Sequence, residues 1–235
     1  MPTDTDQGSE IARSTYVVVP AFNEGAAIGD VLAELVRVYP NVVVVDDGST
    51  DGTFDAARAV TPYVLRHALN RGQGAALQTG VDFALRREAK YVVTFDADGQ
   101  HRVEDIRALL EPLAGGACDV TLGSRFLGVK SQMPRSRRLL LRMAVLFTRI
   151  TSRLPITDAH NGLRAFTRAA AERLDISMDR MEHASEVLDI IRRCRLRFRE
   201  VPVQIRYTDY SLGKGQSARD ALRVLLHYLI GRAVR

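Results

Sequence analysis

"VVVVDDGSTDGT", residues 42–53, reads as three pieces in order. The valines suit a pleated strand. Two carboxylates stand at its end, and Gly, Ser, Thr and Asp then turn the chain into a helix over 51–60. The same order recurs through the first half of the chain. "TYVVVP" (15–20), "YVLRHA" (63–68), "YVVTFD" (91–96) and "CDVTLG" (118–123) are further short strands bounded by turn residues. Segments 26–38, 73–89 and 103–114 carry apolar residues at helical spacing. This alternation predicts an α/β fold: a mostly parallel central sheet with helices on both faces.

In such sheets ligands bind outside the carboxyl ends of the strands. The polar clusters "PAFNE", "DDGSTDGT" and "DADGQH" all fall there, so one site is built from three loops. After residue 124 the pattern changes. A basic helix is expected over 136–154, an irregular "TDAHNGLRAF" over 157–166, a helix over 181–195 and a strand region over 195–207. A Gly/Ser-rich loop, 211–217, precedes a last helix, 217–233. The polar residues 1–14 lack the apolar core of a secretory signal and are expected to be a flexible tail.

The chain has 235 residues, enough for one large domain. No uncharged apolar run reaches the roughly 20 residues of a membrane span. Cys118 and Cys194 have no metal-type spacing and read as reduced thiols of a cytosolic protein. Net charge is +5, and Arg135, Arg137, Arg138, Arg142, Arg149 and Arg153 form a block without acidic residues. Such a block suits nucleic acid, anionic lipid or phosphate, or simply a solvated helix face.

Several chemistries can be weighed in the loops. "DDGSTDGT" imitates the start of a calcium loop, but the twelfth position is Arg58, which excludes calcium. Ser49 or Thr50 can cap the next helix, and Asp51 and Asp55 suit its positive end. Capping leaves Asp46 and Asp47 together at the strand end unexplained, so at least one is expected to recognise a ligand. "NRGQGAALQTG" (70–80) lacks the third glycine of a dinucleotide fingerprint and reads as a tight turn into a helix. In "DADGQH" the carboxylates of Asp96 and Asp98 point the same way if the segment is extended. A divalent cation, Mg²⁺ or Mn²⁺, bound between them relieves their repulsion.

Taken in order, "PAFNE", "DDGSTDGT", "NRGQGAAL", "DADGQH" and "GSR" (123–125) resemble the family-2 inverting glycosyltransferases, and within them the dolichyl- or polyprenyl-phosphate sugar synthases. The resemblance spans roughly residues 15 to 217, taken as the catalytic domain, with 218–235 as a C-terminal amphipathic helix. It implies a glycosyltransferase-A fold, a nucleotide-sugar donor (a UDP-sugar by preference), a polyprenyl phosphate acceptor and a Mg²⁺ or Mn²⁺ cofactor. Pro20, Ala21, Phe22 and Glu24, with Asp47, would hold base and ribose. Asp96, Ala97, Asp98 and Gln100 would surround the diphosphate, with Asp96, Asp98 and Gln100 at the metal. Arg125, Arg138, Arg206 and Lys214 are the candidates for phosphate contacts. Asp98, Arg125 and Asp158 would carry the reaction. Two departures stand out: Phe22 where Tyr is commoner, and Gln73 where Lys is frequent.

Inverting transfer leaves negative charge on the departing nucleoside diphosphate, which cations stabilise. A hydroxyl acceptor needs a general base, for which Asp158 and Glu186 are candidates. A phosphate monoester, with a second pKa near ~6, needs none. Arg138, Arg142, Arg149 and Arg153 share one helical arc, with Leu140, Met143, Phe147, Ile150 and Leu154 opposite. That pattern fits either an interfacial helix on anionic lipid or a surface helix packed on the sheet. The last helix, with Leu222, Leu225, Leu226 and Leu229 beside Arg219, Arg223 and Arg232, adds a membrane surface, a small membrane partner or a second copy as expected contacts. The expected place is cytoplasmic, peripheral at the inner face of the membrane. Two rivals are weaker. A pyrophosphorylase would open with a basic glycine-rich loop where this chain has "PAFNEG". A nucleic-acid-binding module would leave the carboxylates unexplained, so no nucleic-acid partner is expected.

Overall fold

The valine-rich strands are buried on both sides because each side has its own layer of helices. Among the described residues seven strands form one sheet: β1 (Thr15–Ala21), β2 (Asn41–Asp46), β3 (Tyr63–Arg66), β4 (Tyr91–Thr94), β5 (Val120–Ser124), β6 (Arg164–Thr167) and β7 (Phe198–Pro202). This is a computed structural model, and it describes residues 4–127, 154–159, 161–178 and 182–206. Across the sheet the order is β3-β2-β1-β4-β6-β5-β7. Val17 and Val19 of β1 meet Ile28, Leu32 and Leu35 of α2 (Ile28–Val36) and Ile106 and Leu109 of α5 (Asp105–Ala114). Tyr16 and Val18 share the opposite face with Leu77, Val81 and Ala84 of α4 (Gln73–Arg86), Ala170 of α6 (Arg168–Ala171) and Leu188 and Ile191 of α7 (His183–Arg193). The strand period of two residues thus splits one valine run between two cores.

All the pairings but those of β6 are parallel, with Val17 beside Val42 and Val18 beside Thr94. β6 lies between β4 and β5 and runs antiparallel to both. Its residues fall at the end of a segment expected to be irregular. Four residues give too short a period to read, and they become a strand because two edges are free to receive them. The N-terminus departs from expectation as well. Where a flexible tail was expected, Asp4–Ser14 is a helix, α1, because Ile11 and Ala12 pack on the sheet core. Asn41 Nδ2 donates to Arg13 O at 2.7 Å and fastens its end.

The strands around the site diverge for a chemical reason. Phe95 N still donates to Val18 O at 3.0 Å, which ends the β1–β4 ladder. Two residues on from Val18 stands Pro20, which has no N–H to continue it. The crevice opens where the crossovers from β1 and from β4 leave in opposite directions. The expected basic helix at 136–154 lies almost wholly outside the described residues, as do the loop at 211–217, the last helix, Arg138 and Lys214.

Helix α4 crosses β1 at a glycine. A Cβ added to Gly80 would stand 2.2 Å from Val18 Cγ1, in a core where nothing can swing aside. Gly80→Ala is expected to cost about 1–3 kcal/mol, read as a lower urea midpoint. An unchanged midpoint would mean that α4 lifts from the sheet freely.

Candidate active site

The first two loops are tied to each other. Asn23 N donates to Ser49 Oγ at 2.9 Å and Thr50 N donates to Asn23 Oδ1 at 3.0 Å. Glu24 N donates to Thr53 Oγ1 at 2.8 Å, and Gly25 N to Asp51 Oδ2 at 3.1 Å. Ser49 and Thr50 therefore do not cap α3 (Thr53–Arg58): its cap position, Gly52, has no side-chain bond, and both residues are used to hold "PAFNE". Asp51 receives the Thr53 hydroxyl and the Thr53 N–H. The hydroxyl bond is the largest reason why its carboxyl lies below the usual range.

This lashing sorts the expected nucleotide contacts. Pro20 and Ala21 are buried in β1, Glu24 is half-buried, and Phe22 stands out at 42% exposure. Asp47 is buried, and its carboxylate accepts from His67 Nδ1 at 2.7 Å, Arg71 N at 3.0 Å and Gly72 N at 2.6 Å. Its visible work is to hold the turn into α4, where Gly72 has φ 103°. Asp46 pairs with Arg66 at 3.1 Å.

"DADGQH" is a turn, not an extended segment. β4 ends at Thr94, so Asp96 and Asp98 do not share a strand face. Asp96 points inward and accepts from Gln73 Nε2 at 3.0 Å and His101 Nε2 at 2.9 Å. Asp98 is half-buried and accepts from Gln100 N at 3.0 Å, with Gly99 at φ 73° between them. Gly162 leaves the room for Asp96: a Cβ there would stand 2.2 Å from Asp96 Oδ2. Burial pushes the Asp96 carboxyl up, but the His101 bond and the charges of His101, His183 and Arg164 together hold it below its ordinary value. Asp98 goes the other way, raised first by burial and then by the charge of Asp96.

Arg164, His183 and Gly162 were not singled out in the sequence, where "GLRAF" carries no periodic signal. Gln73 stood out only as a departure from a frequent Lys, and His101 only as part of the acidic motif. The buried Arg164 donates to Asn161 O at 3.1 Å, and burial lowers its pKa to about 10 despite Asp96 and Asp158. A cavity of about 20 Å³ lies beside Asp96, Arg164 and His183, room for one water. A cleft of about 290 Å³ opens on the other side, lined by Asp30, Glu34, Phe95, Asp98, His101 and Arg206.

The remaining expected residues are engaged with one another. Arg125 Nε and Nη2 reach Asp158 Oδ2 and Oδ1 at 2.7 and 2.8 Å, a buried two-point pair. Glu186 accepts from Ser177 Oγ at 2.7 Å and Met178 N at 2.8 Å. Arg206 N donates to Gln100 O at 2.8 Å, and its guanidinium lies 3.3 Å from Glu34. Ala97 is buried within the turn. Among the described residues no three acidic, His or Cys side chains form a ready metal cage. Mg²⁺ needs only one or two carboxylates, and a hard oxygen pair in which one acid is raised by its neighbour's charge fits such an ion.

The profile of Glycosyl transferase family 2 matches residues 16–175. The chain is 30% identical over 237 residues to the UDP-N-acetylglucosamine–dolichyl-phosphate N-acetylglucosaminyltransferase of Methanococcus voltae, covering 92% of this chain and 94% of that one. It is 31% identical over 225 residues to the polyprenol monophosphomannose synthase of Mycolicibacterium smegmatis, covering 89% and 84%. Among solved structures, the glucosyl-3-phosphoglycerate synthase of Mycobacterium tuberculosis with Mn²⁺ and uridine-diphosphate-glucose superposes with a TM-score of 0.73 at 20% identity, over 99% of this chain and 84% of that one. The fold is of the glycosyltransferase-A type, as the motif order implied.

A carboxyl raised by the fold opposes folding once it ionises. Stability of the metal-free protein should therefore fall as pH climbs from the ordinary aspartate value, about 3.9, through the raised one of Asp98. Asp98→Asn keeps the acceptor for Gln100 N and removes the charge. In EDTA it should melt above the wild type at neutral pH, with the gap closing below about pH 4. A lower melting temperature at neutral pH would contradict the repulsion.

Proposed function

Because the chain belongs to glycosyl transferase family 2, we propose that it transfers a sugar, with inversion, from a nucleoside-diphosphate sugar to a polyprenyl phosphate. The observation that carries this reading is the carboxylate pair after β4, in which Asp98 is raised by burial and by Asp96. Mg²⁺ or Mn²⁺ would be held there by Asp98 with Asp96 and Gln100, and when bound it supplies positive charge to the leaving diphosphate. UDP is the preferred carrier. In the relatives, the Methanococcus voltae enzyme is named for UDP-N-acetylglucosamine and dolichyl phosphate, and the mycobacterial structure holds Mn²⁺ and UDP-glucose.

The reaction forms one bond and breaks another. An acceptor phosphate oxygen bonds to the anomeric carbon as the bond to the diphosphate oxygen breaks, and the electron pair leaves with the diphosphate. Phe22, Glu24 and the loops lashed to them bind the nucleoside side. Asp96, fixed by Gln73 and His101, keeps the acidic turn in place. A phosphate acceptor is supported by the state of the two candidate bases. Asp158 is closed on Arg125, and Glu186 is turned to the backbone of Ser177 and Met178. Neither is poised to take a proton from a hydroxyl, and a phosphate dianion requires no base. Arg206, Arg138 and Lys214 remain the proposed phosphate contacts, Arg206 after leaving Glu34. Among the described residues no helix is long and apolar enough to cross a membrane. We place the protein on the cytoplasmic membrane surface, where its lipid acceptor lies, with the two basic amphipathic segments as the contact.

Transfer of radiolabelled sugar from a panel of UDP- and GDP-sugars into polyprenyl phosphate tests this directly. Label is expected in the lipid only with Mg²⁺ or Mn²⁺, with loss in EDTA and a fall of about 10²–10³ in Asp98→Ala. Donor cleavage without lipid label would overturn the acceptor, and equal rates in EDTA would overturn the metal.

A further inference from the structure

His67 ends the loop side of β3 and is used from both ring nitrogens. Nδ1 lies 2.7 Å from Asp47 Oδ1, and Nε2 lies 3.0 Å from Thr79 Oγ1 on α4. A carboxylate only accepts, so Nδ1 donates to Asp47. The Thr79 hydroxyl, which also lies 3.0 Å from Ala75 O, completes the bridge from the ring to α4. The pair is well shielded, with the His67 and Asp47 side chains 11% and 3% exposed. The other charges beside it, Asp46 and Arg66, are paired with each other at 3.1 Å.

What this pair holds is the entry to α4. Asp47 also takes the N–H groups of Arg71 and Gly72, and the next residue, Gln73, holds Asp96. We propose that His67 is a positioning residue for the nucleotide site: its Nδ1–H clamps Asp47 against the 71–72 turn and so sets the start of α4 from which Asp96 is held. Neither His67 nor Thr79 touches the reacting atoms. The proposal rests on the nucleotide-sugar reading for its ligand, and on the hydrogen bonds alone for the clamp.

Two measurements test it separately. In ¹⁵N-histidine-labelled wild-type protein, the long-range proton–nitrogen spectrum at neutral pH should show a proton on Nδ1 of His67. A bare Nδ1 would overturn the inference, whatever the activity. Titration with UDP and with GDP in Mn²⁺ gives the second. His67→Phe should weaken the nucleotide that the wild type prefers by about tenfold, and His67→Asn, whose amide can still donate to Asp47, should recover it to within about threefold. Wild-type affinity in His67→Phe would overturn the role, as would an Asn variant no better than Phe. If the wild type binds neither nucleotide, the functional reading falls and the nitrogen spectrum still decides the clamp. A Phe variant that fails to fold leaves the spectrum and the Asn variant as the deciding results.

Discussion

Asp96 carries its charge where burial opposes it, and the site is arranged around keeping that charge. Gln73 comes from α4, His101 from the turn after β4, Arg164 from β6, and His183 from α7. Each belongs to a different element, so one carboxylate fixes how one layer of helices, α4 and α7, meets the middle of the sheet. Take it away and the buried Arg164 loses one of its two counter-charges, the costly way to break a buried ion cluster. Gly162 belongs to the same arrangement, since any side chain there would occupy the space of the carboxylate.

Most of the fold could be read from residues 15–124, because buried parallel strands announce themselves as valine runs and their helices by period. β6 could not, since "RAFT" becomes a strand only through the edges offered by β4 and β5. The N-terminal helix was hidden in the same way: Ile11 and Ala12 are too few to mark an apolar face until the sheet supplies the other half. In the site, the loops were legible as clusters of polar residues, but their internal wiring was not. Ser49 and Thr50 have the chemistry of caps, and only the neighbouring "PAFNE" loop diverts them. Asp96 and Asp98 look alike in sequence and differ in surroundings, one held by side-chain donors and one on the wall of the larger cleft.

The acids of the second half show how burial assigns work. Asp158 and Glu186 have the right side chain for proton abstraction, yet each is spent on organising a neighbour: an arginine in one case, a backbone turn in the other. A carboxylate bound at two points by a guanidinium is a weak base. The chemistry left to such a site is the kind that asks for charge and position, which is what transfer to a phosphate requires.

The place of β6 between β4 and β5 also governs how the chain is made. β4 emerges from the ribosome with β1 as its only partner, and β5 follows with no partner at all. Both wait for Arg164–Thr167 before the sheet can close. During that interval the molecule exposes the open side of β4, the kind of unpaired edge on which nascent chains adhere to one another. The half that carries the lashed loops is complete early, and the half that closes Arg125 on Asp158 comes late. Synthesis thus runs from the lashed loops toward the Arg125–Asp158 pair.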